Sequence, residues 1–321
     1  MSRPASEAEA RKAIERMIAS ELGLDITPAA RALVDELLRR YGGRIAAVLF
    51  YGSCLRTGDA GGMHDFYVIV DRYKDFYGGW ALAAANALLP PNVFCVTARS
   101  GGLPVVAKVA VMSCVQFARA MHRGSLQTSV WARFCQPAAL VYARDPRTAA
   151  AIRQALVEAV VTAAFWAVRL GAGPMSEREL WTSLFRATYG AELRAERSDR
   201  PDAIYGANAK RYDSLTRVAL IAAGVQSSSD LQDGNRFAAL SAQERRAARR
   251  AWQLRRLLGK ALSVLRLSKA AFTFEGAVDY ICWKIERHSG IAPQLTDWQR
   301  RHPILAGPAV AWRLYRQGAF H

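Results

Sequence analysis

The sequence predicts an α+β fold: a mixed sheet with helices, followed by a mainly helical C-terminal part. Three observations carry the prediction. Short apolar runs rich in branched residues, bounded by glycine or aspartate, fill the stretch up to about residue 145. Helical periodicity and capping signals dominate beyond it. The chain has 321 residues, 51% of them apolar and 22% charged, which suffices for a sizeable core and excludes intrinsic disorder. The expected division is a strand-bearing domain over residues 1–145 and a helical domain over residues 146–321 with a basic C-terminal segment.

The first helix expected opens at Thr27-Pro28, where threonine can cap and proline suits the first turn; Gly42-Gly43 ends it. The run Ile45 to Tyr51 reads as a buried strand, and a glycine-rich loop with Gly52, Ser53, Gly58, Gly61 and Gly62 follows. Phe66 to Val70 reads as a second buried strand with Asp65 at its entrance and Asp71 at its exit. Further strands are expected at Val93–Val96 and Val105–Met112, and helices near Val115 to Met121 and from Pro146 to about Val168. Ser176-Glu-Arg-Glu179 is a capping box that opens a helix to about Ala187. The polar segments Arg194 to Asn208 and Gln226 to Asn235 read as loops. A second capping box, Ser241 to Glu244, opens a long basic helix, and a last helix is expected from about Phe274 to His288.

Charge narrows the partners. There are 44 basic and 27 acidic residues, a net charge of +17, which points to a polyanion: nucleic acid, nucleotide phosphates or an anionic membrane surface. The five cysteines, Cys54, Cys95, Cys114, Cys135 and Cys282, contain no C-x-x-C pair and read as buried thiols of a reducing cytoplasm. The most apolar stretch, Ala159 to Val168, is bounded by Glu158 and Arg169, too short for the roughly 20 residues of a membrane span. The N-terminal residues lack the apolar core of a secretory leader.

The chemistry concentrates in Tyr51-Gly52-Ser53, Gly58 and His64-Asp65-Phe66-Tyr67-Val68-Ile69-Val70-Asp71. A strand delivers Gly-Ser onto a loop that returns to an acid heading the next strand. Triphosphate oxygens need backbone N–H donors with no side chain in the way, which glycine provides. Magnesium takes hard carboxylate oxygens together with substrate phosphates. This pattern resembles the nucleotidyltransferase superfamily with a polymerase-β-like palm. That superfamily usually carries two acids at i and i+2, whereas here Met63 precedes Asp65 and Tyr67 follows it. Asp71 is six strand residues away, about 20 Å, against the roughly 4 Å between paired catalytic metals. Asp59 in the loop has the reach but nothing compels it.

A narrower resemblance fits better. The chain is similar to the soluble phosphatidate cytidylyltransferases first met as mitochondrial translocator maintenance proteins. There a YGS loop precedes a strand beginning Asp-Phe without paired acids, and an aspartate six residues later recurs, as Asp71 does here. Lys108-Val-Ala-Val-Met112-Ser113, Ala132-Arg133-Phe134-Cys135-Gln136-Pro137, Val161 to Phe165, Ser176-Glu177 and Thr188-Tyr189-Gly190-Ala191-Glu192-Leu193-Arg194 follow in the family's order, so the resemblance covers about residues 45–220. It implies transfer of CMP from CTP to phosphatidic acid, giving CDP-diacylglycerol and pyrophosphate, for phospholipid biosynthesis at the inner face of the cytoplasmic membrane.

By that resemblance, Tyr51, Gly52, Ser53 and Arg133 bind the nucleotide, Asp65 ligates Mg2+, and Lys108 screens phosphate charge. Tyr189, Arg194 and Lys269 are assigned to the substrate phosphate or the lipid. The alternative for Lys108 is a solvent-facing place on an edge strand. The helix carrying Arg245, Arg246, Arg249, Arg250, Arg255, Arg256 and Lys260, continued by Arg266 and Lys269, reads either as a solvated face or as a peripheral docking surface for anionic lipid. Trp252, Trp283 and Trp298 are candidates for an interface or for core. Two other functions remain open: a nucleotidyltransferase with a protein, RNA or small-molecule acceptor, and a non-enzymatic membrane or nucleic-acid binder.

Overall fold

The computed structural model describes residues 6–171, 175–191, 200–225, 240–273 and 294–301, with 309, 310, 312, 313 and 316. Five strands, β1 (Ala47–Tyr51), β2 (His64–Val70), β3 (Asn92–Ser100), β4 (Leu103–Ser113) and β5 (Ala139–Ala143), form one mixed sheet in the order β3-β4-β2-β1-β5. The β2–β4 pair is parallel and the other pairs are antiparallel. The class is therefore α+β, as the pattern of runs predicts.

Side-chain alternation divides the sheet into two faces. One face shows Val48, Phe50, His64, Phe66, Val68, Val109 and Val111. It packs on α2 (Pro28–Tyr41), α4 (Tyr73–Tyr77) and α5 (Trp80–Leu88) through Leu33, Leu37, Phe76 and Ala83. The other face shows Leu49, Tyr51, Asp65, Tyr67, Ile69, Lys108, Ala110 and Met112. Its apolar part packs on a helical layer that includes α1 (Glu7–Leu22), α6 (Cys114–Ala120), α7 (Thr128–Phe134) and α8 (Pro146–Leu170). α9 (Glu177–Gly190), α10 (Arg200–Gly206), α11 (Ala209–Ala222) and α12 (Ala242–Thr273) extend that layer, and a short helix, α13, covers Asp297–Arg301. Asp145 caps α8 with its side chain on the Thr148 N–H at 2.7 Å, so an element does begin at the expected boundary. One apolar core nevertheless runs across it, from Ala10 to Trp252.

Predicted signals recur as structure. Thr27 caps α2 at 3.2 Å, and both capping boxes, at Ser176 and Ser241, are formed. α8 is long and apolar enough to cross a membrane, with a mean hydropathy of 1.4, yet 72% of that window is buried inside the protein. Its apolar surface is core, and the helix runs over the expected stretch from Pro146. Trp252 is core as well, packed against Trp131 and Trp166.

Four expectations are corrected. The fold begins before Thr27: α1 opens with a Ser6–Glu9 capping box and buries Ala10, Ala13, Ile14 and Ile18 at helical spacing. The segment read as a loop from Arg194 contains α10, for which Pro201 in the first turn was the available signal. β5, α4, α5 and α7 are additional elements too short to show a period. Lys108 is exposed, as its alternative reading has it, but it is not on an edge, because β4 lies between β3 and β2. β3 and β4 are longer than their apolar runs because Gly101 and Gly102, at φ 58° and 80°, close them into a two-residue hairpin. Gln226 to Asn235, the helix at Phe274 to His288 with Trp283, Cys282 and Arg194 lie outside the described residues.

Candidate active site

The site forms where β1 ends beside the start of β2. Register places Tyr51 opposite Asp65, and Asp65 beside Lys108 on the parallel neighbour. Adjacent strands lie about 4.8 Å apart, so these three residues share one face at one end of the sheet. The chain then turns through Gly52 into the short helix α3 (Ser53–Thr57). Gly52 has φ 93°, and a Cβ there would lie 2.8 Å from Asp65 Oδ2. Only glycine meets both demands, the left-handed backbone and the close approach of the loop to the carboxylate.

Four cations act on the half-buried Asp65 carboxyl. Burial pushes its pKa up from the ordinary carboxylate value, and Lys108, Arg133, Arg200 and Arg56, in that order, pull it back. Arg56 stands on α3, one turn beyond Ser53. It donates to Gln136 Oε1 at 3.3 Å, and burial first, then repulsion from Arg200, lowers its pKa. Arg133 ends α7 and donates to the Ser129 carbonyl at 3.1 Å. Tyr189 at the end of α9 and Tyr212 on α11 are close enough to act on Arg56. The Tyr51 ring packs against Tyr67 and Phe134, at 5.6 and 5.5 Å between centroids, and forms an aromatic wall of the site.

Sequence reasoning therefore named Tyr51, Gly52, Ser53, Asp65, Lys108, Arg133 and Tyr189, which the fold brings to one end of the sheet. It missed Arg56 and Arg200. Arg56 follows the Gly-Ser turn by one helical turn, a visible spacing; Arg200 comes from the segment taken for a loop. Lys269 is elsewhere. Its ammonium donates to the carbonyls of Leu89 and Pro91 at 2.6 and 3.2 Å, which pins the chain entering β3. Asp71 pairs with Arg144 at 2.5 Å, and Asp59 accepts from the Gly61 N–H at 2.9 Å as part of the loop. His64 is fully buried on the opposite face, stacked on Phe50, and burial lowers its pKa, so it is a neutral core group.

The donor chemistry tests the magnesium expectation. Among the described residues no three carboxylate, histidine or cysteine side chains cluster around a possible ion. Asp65 supplies one carboxylate amid positive charge. Magnesium thus fits only together with a nucleotide whose phosphates bring most of the oxygens. No protein-family model matches this chain, and no curated protein does.

Proposed function

We propose that the protein is a CTP:phosphatidate cytidylyltransferase. The observation that carries the reading is the setting of Asp65: a carboxyl on which, among the described residues, Lys108, Arg133, Arg200 and Arg56 all act, beside a loop held open by Gly52. Two phosphate-bearing substrates suit such a basin better than one. The triphosphate lies along the Gly52-Ser53 turn, with Arg56 and Arg133 offering planar donor forks to its oxygens. Lys108 screens the negative charge that builds up as the acceptor approaches. A phosphatidate oxygen then attacks the α-phosphorus of CTP, forming a P–O bond as the bond to the β-phosphate breaks and pyrophosphate leaves. The acceptor is already ionised near neutral pH, so no general base is needed, consistent with a site that has one acid. When bound with the triphosphate, magnesium supplies further polarisation of the phosphoryl oxygens, with Asp65 as its protein ligand.

The basic helix supports a peripheral membrane attachment. In α12, Arg255 is buried, donating to the carbonyls of Arg123 and Ser125, and Arg245 donates to that of Gly171, so these two are internal. The remaining face differs. Leu254, Leu257, Leu258, Val264 and Leu265 are exposed, beside exposed Arg246, Arg249, Arg250, Arg256 and Lys260. An apolar stripe flanked by cations suits an anionic bilayer surface, each cation contributing about 1 kcal/mol near the headgroups.

The test is product formation from labelled CTP and phosphatidic acid micelles with magnesium. Labelled CDP-diacylglycerol is expected from the native protein, with at least about a hundredfold less from Asp65→Ala. CTP binding without lipid product would assign the site to another acceptor. Absence of both would leave a non-enzymatic binder.

A further inference from the structure

The row of residues that carries Asp65 divides its face of the sheet. Register aligns Tyr51, Asp65, Lys108 and Cys95 across β1, β2, β4 and β3. On one side of the row, Leu49, Tyr67 and Ala110 are buried under the helical layer. On the other side β1 and β2 have ended, and the β3–β4 hairpin runs on, with Thr97–Ser100 paired to Leu103–Val106. At about 3.3 Å per residue, this ribbon projects about 13 Å past β2.

A two-stranded ribbon on its own is marginal in water. This one is held from beneath. Val96, Val105 and Ala107 point to the opposite face and are buried in the core that includes Leu33 and Leu37 of α2. On the Asp65 side, pairing places Val106 beside Thr97 and Pro104 beside Arg99. Val106 is buried there, while Thr97, Arg99 and Pro104 are exposed, as Lys108 is. Among the described residues, the Thr97 hydroxyl and the Arg99 guanidinium make no hydrogen bond or ion pair. The acid in the loop before β2, Asp59, is turned the other way. A Cβ on Gly62 would lie 2.7 Å from its Oδ2 and 2.6 Å from the sulfur of Cys54, which belongs to the opposite core.

The attacking and leaving oxygens of a phosphoryl transfer lie roughly in line. With the triphosphate along Gly52-Ser53, on the β1 side of Asp65, pyrophosphate leaves toward β1, and the acceptor approaches from β4 and β3. We propose that the open face of the β3–β4 hairpin is the acceptor subsite, where Lys108 and Thr97 take the acceptor phosphate and Arg99 takes the ester oxygens beyond it. Thr97 and Arg99 stand about 7 Å apart along β3, a separation comparable to that between the phosphorus of a phosphatidate and its acyl esters. The inference rests on the transfer reaction proposed above and assigns the place of its second substrate.

Calorimetric titration with dihexanoyl phosphatidate below its micelle concentration, with glycerol 3-phosphate and with CTP tests it, alongside initial rates. Arg99→Met is expected to raise the Kd and KM for dihexanoyl phosphatidate about tenfold and to leave glycerol 3-phosphate and CTP within about twofold. Thr97→Val is expected to weaken both phosphate esters about threefold to tenfold and to spare CTP. Both side chains are exposed, so unchanged melting temperatures are expected. Acceptor affinities within about twofold of native in both variants would overturn the proposal and leave Thr97 and Arg99 as the polar guard of an edge strand. A parallel loss of CTP affinity would overturn it as well, by placing the nucleotide on the hairpin. Should the native protein bind dihexanoyl phosphatidate and form no CDP-diacylglycerol, the transfer reading fails while the variants still decide the subsite. Should it bind CTP and no phosphatidate, both fail.

Discussion

Arg56 and Arg211 both act on the buried Tyr212, and the fold treats their charges in opposite ways. Arg211 on α11 forms a two-bond ion pair with Glu21 of α1, at 2.5 and 3.0 Å, and a third bond to the Cys135 carbonyl at 3.0 Å. Burial opposes its charge, but Glu21 outweighs burial and the net shift of its pKa is upward. Arg56 has a neutral amide for a partner, and its pKa shifts downward. Under the proposed function, the difference separates a charge that holds two helices together from one that would meet the triphosphate. A structural cation brings its own counter-ion; a binding cation leaves that place for the ligand.

The largest expected effect follows from removing each in turn. Arg211→Ala strands Glu21 in a mostly buried place and should cost about 3 kcal/mol in urea unfolding, with little meaning for nucleotide binding beyond that loss. Arg56→Met should change stability by less than about 1 kcal/mol, because it removes an uncompensated charge. It should weaken CTP binding about tenfold or more. Equal destabilisation by the two variants would break the comparison.

The same contrast can be sharpened at two glycines. Gly52 and Gly58 both have positive φ, 93° and 68°, so alanine at either should cost about 1–2 kcal/mol in backbone strain. At Gly58 nothing lies within 4 Å of a Cβ, whereas at Gly52 the Cβ meets Asp65 Oδ2 at 2.8 Å. Gly58→Ala should therefore lose stability and keep nucleotide binding. Gly52→Ala should lose both, with the unfolding measured by heat and the binding by titration.

These glycines show what was legible in the chain. Gly52 and Asp65 were readable because the requirement is local: a strand, a turn that needs no Cβ, and an acid at the next strand's head. Lys108 followed from its place in an apolar run, but its neighbour Asp65 depended on parallel pairing, which no local signal specifies. Arg200 could not be placed, since it reaches the site from a seven-residue helix too short to display periodicity. α1 is legible from one local signal: its alanines make a weak apolar stripe, yet the capping box at Ser6 marks its start.

Lys269 lies between Arg211 and Arg56, and gives the smallest effect. Its ammonium donates to two carbonyls. Burial, with a smaller contribution from Arg266, lowers its pKa from 10.5 to about 8. The unfolded chain then binds more protons than the folded one between those two values, so this residue makes stability rise as pH rises through that window. Below about pH 8 its charge is held in both states and the full cost of burying it is present. Denaturation of the native protein and of Lys269→Met, compared from pH 7 to pH 10.5, isolates this contribution. The native protein should gain stability relative to the variant as the pH increases. A difference that stays flat would mean that the two carbonyls hold the ammonium as firmly as Glu21 holds Arg211, and would move Lys269 to the structural side of the comparison.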